Sequence, residues 1–261
     1  MRLLREEIAG IPLHGLEFGD HDRMVLHVHG TWGNFYYHPF VPILGEMYDD
    51  AGWRYASVNL PSHDDGSTTE TLRESLTAMA VWVERLARPG AGVILQGHSL
   101  GALKALALAA ERPVDAVVLL SPADIVAFLG GAEPAERERR RSVVAGLPGD
   151  AMVPPEVFDR WPVTAGTYLS MAAAGGEWDL FPSRDLPTCV ARLAGVTVPC
   201  FVALGGADYA STPDPASIAA ALESVASVHF DPVAPHNFAG SEHQLAAALR
   251  AFLRRSLPPS T

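Results

Sequence analysis

Short runs of apolar, often β-branched residues alternate along this chain with longer stretches whose apolar positions recur every three to four residues. The short runs predict strands over residues 24–29, 54–60, 92–96, 115–120, 198–204 and 227–231. The longer stretches predict helices over 40–50, 70–87, 100–111 and 242–255. The unbroken apolar runs at 92–96 and 115–120 read as strands buried on both faces. Pro61 stops the second strand, and Pro89-Gly90 lies beyond the helix that Thr68 or Thr69 would cap at its start. Weaker alternation over 13–18 predicts an antiparallel edge hairpin. This rhythm is that of an α/β protein.

One stretch breaks the rhythm. Residues 122–197 carry no clear strand, but they hold the charge run 136–141, a proline-rich piece at 148–155 and the spread aromatics Phe158, Trp161, Tyr168 and Trp178. A structureless loop of that length is uncommon in a compact domain, so a helical insertion over one end of the sheet is expected. The chain then divides into a core of residues 1–122 and 197–261 and a helical lid over 123–196. Apart from the tail 258–261 there is no low-complexity tract, and there are no internal repeats.

Composition narrows the classes of function. A formal charge of −11 argues against binding nucleic acid or an anionic membrane through bulk electrostatics. Lys104 is the sole lysine, so Schiff-base or P-loop chemistry has one candidate, on the helix expected at 100–111. The start MRLLREEIAG lacks the apolar core of a secretory signal, and no apolar run reaches the length of a membrane span. Cys189 and Cys200 make neither a disulfide framework nor a zinc-ligand spacing. The expectation is a soluble cytoplasmic protein.

The candidate chemistry lies at Gly97-His98-Ser99-Leu100-Gly101, between a buried strand and a helix. In that context G-x-S-x-G is a nucleophile elbow: a strained turn lifts the serine hydroxyl above the sheet edge, and the glycines let helix and strand pack closely. The helix start offers the Leu100 N–H to a developing oxyanion. A serine hydroxyl needs a base, and only His229, His236 and His243 follow Ser99. His236 lies in a strand-to-helix loop and is the favoured base, with His243 as fallback. Asp208, after a strand and a glycine turn, is favoured over Asp124 as the acid that orients the imidazole. The glycine-flanked loop His29-Gly30-Thr31-Trp32-Gly33 would supply a second oxyanion donor, the N–H of Thr31 ahead of that of Trp32. Trp32, Phe35, Tyr36, Trp161, Tyr168 and Trp178 are candidates for an apolar acyl pocket.

The segments HGTWGNF, GHSLGA, LGGAD and PHNF, in this order and spacing, resemble the α/β-hydrolase superfamily over nearly the full chain. HGTWGNFYY, the 62–67 loop and LLSPAD are also similar to a sparsely characterised group of serine-hydrolase-like proteins akin to fungal siderophore-ester hydrolases. The resemblance implies a mostly parallel eight-stranded sheet flanked by helices, a lid inserted after the sixth strand, no cofactor, and a triad of Ser99, Asp208 and His236.

Other signals are weaker. His27-Val-His29 and His63-Asp64-Asp65 match no metallohydrolase spacing, so no metal is expected. No G-x-G-x-x-G follows a strand, so no dinucleotide is expected either. The arginines of 137–141 interleave with glutamates and read as a solvated helix face, with recognition of an anionic carrier or substrate as the minor reading. The expected function is a serine hydrolase acting on a small, largely apolar ester or thioester through an acyl-enzyme. A tailoring lyase or acyltransferase using the same site is the alternative, and a non-enzymatic binding protein on this fold is the outside one.

Overall fold

The computed structural model describes residues 1–131, 133–210 and 214–257. The expected low-complexity tail 258–261 lies outside them. The chain opens with the hairpin β1 (Arg2–Ile8) and β2 (Ile11–Phe18), turned at Ala9-Gly10. Both turn residues have positive φ, 53° and 79°, the backbone that matches the twist of paired strands. The strands β3 (Met24–Val28), β4 (Arg54–Val58), β5 (Val93–His98), β6 (Ala116–Leu120), β7 (Cys200–Ala207) and β8 (Ser227–Pro235) complete one sheet. Its order among the described residues is β1-β2-β4-β3-β5-β6-β7-β8. Every pairing from β4 to β8 is parallel, and β2 runs antiparallel to both its neighbours.

Alternate residues of the central strands feed two apolar layers. Leu26, Leu95, Val117 and Leu119 point into one, beneath α2 (Leu72–Leu86) and α3 (Leu100–Glu111). Val25, Ile94, Val118 and Leu120 point into the other, beneath α1 (Phe40–Asp50) and α9 (Glu242–Ser256). Covering both faces accounts for the unbroken apolar character of these strands. Thr71, rather than Thr68 or Thr69, caps α2 by accepting the Glu74 N–H, because residues 64–69 form a turn of 3₁₀-helix.

Between β6 and β7 the chain forms α4 (Ile125–Gly130), α5 (Pro134–Ala145), α6 (Ala165–Met171) and α7 (Leu186–Ala194); α8 (Pro215–Leu222) follows β7. The charge run falls on α5, where Glu136 pairs with Arg139 and Arg140, and Glu138 with Arg141. No helix among the described residues is long and apolar enough to cross a membrane.

Candidate active site

Ser99 sits between β5 and α3 with φ 57° and ψ −123°. A non-glycine residue held there costs about 1–3 kcal/mol, which the surrounding packing must offset. Two glycines make that packing possible. A Cβ on Gly97 would fall 2.0 Å from the Gly101 carbonyl oxygen, and one on Gly101 would fall 2.4 Å from that of Val28. Any side chain at either position would push α3 off the sheet.

Strand register assembles the rest. Val28 pairs with Gly97, so the chain leaving β3 runs beside Ser99; a Cβ on Gly30 would lie 2.8 Å from the Ser99 Cβ. Ala207 pairs with Pro235 after a register shift at Gly205, which sets the next residues, Asp208 and His236, side by side. Nδ1–H of His236 donates to Oδ1 of Asp208 at 2.7 Å, and the same oxygen accepts the Ala210 N–H at 2.8 Å. With Nδ1 so engaged, Nε2 is the nitrogen left to accept a proton. Ser99 and His236 both line one cavity of about 570 Å³ at the carboxyl edge of the sheet. Among the described residues the Ser99 hydroxyl has no hydrogen-bond partner.

The other acid candidate is committed elsewhere. Asp124 caps α4 by accepting the Ala127 N–H, and it holds Arg184 by a 2.5 Å ion pair and the Arg184 N–H. Burial pushes its carboxyl above the ordinary range, against the lowering effect of these bonds. His243 is exposed on α9, and His229 lies within β8; neither lines the cavity.

Two candidate oxyanion donors differ in the same way. The Leu100 N–H, at the first position of α3, has no intrahelical acceptor. In the 29–33 loop the Trp32 N–H donates to the Ser67 Oγ at 2.8 Å, whereas the Thr31 N–H has no partner among the described residues. Thr31, Trp32 and Leu100 all line the cavity.

Of the predicted pocket aromatics, Trp32 and Trp161 line the cavity and four others do not. Tyr168 is wholly buried, its hydroxyl donating to the Leu129 carbonyl, and Trp178 is wholly buried in the apolar core. Their size fills the space between the inserted helices instead of facing the serine. Phe35 is tied by its N–H to Asn59 Oδ1 and packs edge-on against Tyr36, which is 63% exposed.

Several lining residues escape sequence reasoning: Tyr37, His38, His98, Phe128, Arg160 and Tyr209. Two had a signal available, since His98 is the variable residue before the elbow serine and Tyr209 directly follows Asp208. Nε2–H of His98 donates to the His236 carbonyl oxygen at 2.8 Å, and His38 stands 4.1 Å from His98, ring centre to ring centre. Burial lowers His98 well below the ordinary histidine range and lowers His38 to about 3, each with help from neighbouring imidazoles. The histidine pair at 27 and 29 is used structurally. His27 Nδ1 accepts from Gln96 Nε2 at 3.0 Å; His29 donates from Nδ1 to the Gly30 carbonyl and accepts the Leu60 N–H at Nε2. Among the described residues no group of three or more potential ligands could hold a metal ion.

No curated protein matches the chain. Solved structures do. Est1E from Butyrivibrio proteoclasticus is 17% identical with a TM-score of 0.68, the match covering 98% of each chain. The siderophore hydrolase EstB from Aspergillus fumigatus is 18% identical with a TM-score of 0.67, over 94% of this chain and 95% of that one. The thioesterase domain from the curacin biosynthetic pathway is 18% identical with a TM-score of 0.61, over 98% and 99%. At these identities the likeness is one of fold. A family model extends it to the sequence itself: residues 25–252 match the alpha/beta hydrolase family, and the chain belongs to that family.

Proposed function

We propose that this protein is a serine hydrolase that cleaves an ester or thioester of a small, largely apolar acyl group through an acyl-enzyme. Membership of the family supports hydrolysis as the reaction class. The observation that carries the mechanism is the 2.7 Å bond that Asp208 accepts from His236, whose ring lines the same cavity as the strained Ser99.

The steps follow from these atoms. Ser99 Oγ attacks the substrate carbonyl while His236 Nε2 takes its proton. Asp208 holds the imidazole in the tautomer with Nδ1–H and stabilises the imidazolium. The carbonyl oxygen, now negative, accepts from the N–H groups of Leu100 and Thr31. Collapse of the intermediate expels the alcohol or thiol, which takes the proton from His236. Water, deprotonated by the same nitrogen, then releases the acid and restores Ser99. The helices between β6 and β7 act as the lid, bringing Phe128 and Trp161 to the acyl side of the cavity.

The test is labelling with a fluorophosphonate probe, run on wild type beside Ser99→Ala and His236→Ala. Wild type is expected to label and to release acid from p-nitrophenyl butyrate, and Ser99→Ala to do neither. Equal labelling of wild type and Ser99→Ala would overturn the assignment of the nucleophile.

A further inference from the structure

We infer that Ser67 is a positioning residue for the oxyanion hole, held to the elbow helix through Ser62 and the buried Lys104–Glu70 ion pair. This rests on the hydrolase reading above. The 29–33 loop makes a tight turn, with Gly33 N–H bonded to the Gly30 carbonyl and Trp32 at a φ of 58°. That backbone is costly for tryptophan and needs an external hold. Ser67 provides one. Its hydroxyl donates to the Ser62 carbonyl at 2.6 Å, so the oxygen lone pair is what meets the Trp32 N–H at 2.8 Å. Of two neighbouring N–H groups, one is thereby consumed, and Thr31 is left as the donor.

The hold continues inward. Lys104 Nζ reaches the Ser62 hydroxyl at 3.3 Å and pairs with Glu70 Oε1 at 2.5 Å, and the Ser75 hydroxyl donates to the same oxygen at 2.8 Å. Both charged side chains are fully buried. A buried ion pair contributes little net stability compared with an apolar pair of similar shape, so its use here is better understood as fixing geometry. Lys104 lies one turn of α3 after Leu100. The bonded path therefore starts beside one oxyanion donor and ends on the residue next to the other. Further links lace the two loops together: Asp64 N–H to the Gly33 carbonyl at 3.1 Å, Asn34 Nδ2 to Asp64 Oδ1 at 3.0 Å, and Phe35 N–H to Asn59 Oδ1 at 2.8 Å.

The experiment compares wild type, Ser67→Ala, Ser67→Thr and the double variant Lys104→Met/Glu70→Leu. It measures kcat and KM on p-nitrophenyl butyrate, inhibition by a trifluoromethyl ketone whose serine adduct bears an oxyanion, and melting temperature. Ser67→Ala is expected to lower kcat by about 10-fold or more, short of the ~10²–10³ set by outright loss of a donor. KM should stay within about twofold, inhibition should weaken by the same factor as kcat, and Ser67→Thr should restore both. The double variant should repeat the kcat-specific loss. Should Ser67→Ala not fold, Ser67→Cys, nearly isosteric with a weaker acceptor, carries the same test. Wild-type kcat and inhibition in a folded Ser67 variant, or a loss confined to KM, would remove this inference alone. Wild-type activity that survives Ser99→Ala would bring down the hydrolase reading and this inference with it.

Discussion

The two walls of the cavity are built by different means. The wall made by residues 29–38 is fastened by directional bonds: His29 to Leu60, Trp32 to Ser67, Asn34 to Asp64 and Phe35 to Asn59. The facing wall, from the segment between β6 and β7, presents packed aromatics to the cavity, with the bonds of Asp124 to Arg184 and of Tyr168 to Leu129 set behind them. Phe128 stacks on Trp161 at 5.4 Å and 10°, and Phe158 meets Trp161 edge-on at 4.8 Å. Hydrogen bonds weaken steeply with angle, so the first wall holds atoms to a fraction of an ångström. Apolar contact is non-directional, so the second holds a shape and tolerates exchange of similar side chains. On the proposed reading the first wall brings the Thr31 N–H to the cavity, and the second, with Phe128 and Trp161, lines the space for the acyl group.

Removing the reacting groups is the largest way to break the comparison. Ser99→Ala or His236→Ala should lower kcat by on the order of 10⁴–10⁶, with the melting temperature little changed. Steady-state hydrolysis of p-nitrophenyl esters and a thermal melt check both halves of that statement. The two aspartates should then part company. Asp208→Asn is expected to lower kcat by about 10⁴, because the amide favours the wrong imidazole tautomer. Asp124→Asn breaks a buried ion pair and should instead lower the melting temperature by on the order of 10 °C, leaving kcat of the folded protein within a few-fold.

Acid should act through the 29–38 wall and the strands behind it rather than through the inserted helices. Burial, the largest cause in each, lowers His27 and His38 to about 3 and holds His29 and His98 well below the ordinary range. In the unfolded chain all four titrate near 6.5. Above that pH neither state binds these protons, and stability is at its full value. As pH falls from about 6.5 toward 3 the unfolded chain takes up protons that the folded one refuses. Each histidine then removes up to about 1.4 kcal/mol per pH unit. Urea midpoints at pH 7, 6 and 5 should therefore fall steeply, and His38→Phe should reduce the slope by about one proton. Residues 123–196 contain no histidine, so the inserted helices supply none of this dependence.

On the packing wall the effects are smaller and fall on binding. Trp161→Ala should raise KM for a butyrate or longer ester by about 10-fold with kcat within a few-fold, since it removes apolar contact equally in ground and transition states. Tyr36→Ala, at an exposed ring outside the cavity, should change neither constant by more than about twofold. A large KM effect at Tyr36 would mean that the acyl wall extends onto the exposed tyrosines.

Much of this site was legible because its elements are local. The pentapeptide around Ser99 carries its own steric logic, and the loop after β3 is marked by its glycines. The order of serine, acid and base along the chain left three histidines and two candidate aspartates. A strand-to-helix loop favoured His236 and a strand followed by a glycine turn favoured Asp208, and the Ala207–Pro235 pairing brings these two into contact. Of the six aromatics expected at a pocket, only Trp32 and Trp161 line the cavity. Nothing in the spacing of Tyr168 and Trp178 separates a side chain that fills the space between helices from one that lines a cavity. Phe128 carried no mark, lying in the short apolar helix α4.

The sequence by itself determined the strand and helix rhythm, the elbow and the small residues that permit it. These depend on backbone sterics and side-chain period within a few residues. Only the tertiary structure decided which aspartate meets an imidazole, which N–H of the 29–33 loop is left unbonded, and what the sole lysine does. Lys104 stood in the sequence as the one candidate for lysine chemistry, on the helix after the serine; folding buries it and pairs it with Glu70, 34 positions earlier in the chain. A buried charge has to find its partner, and that partner is chosen by the crossing of distant segments, which no local pattern encodes.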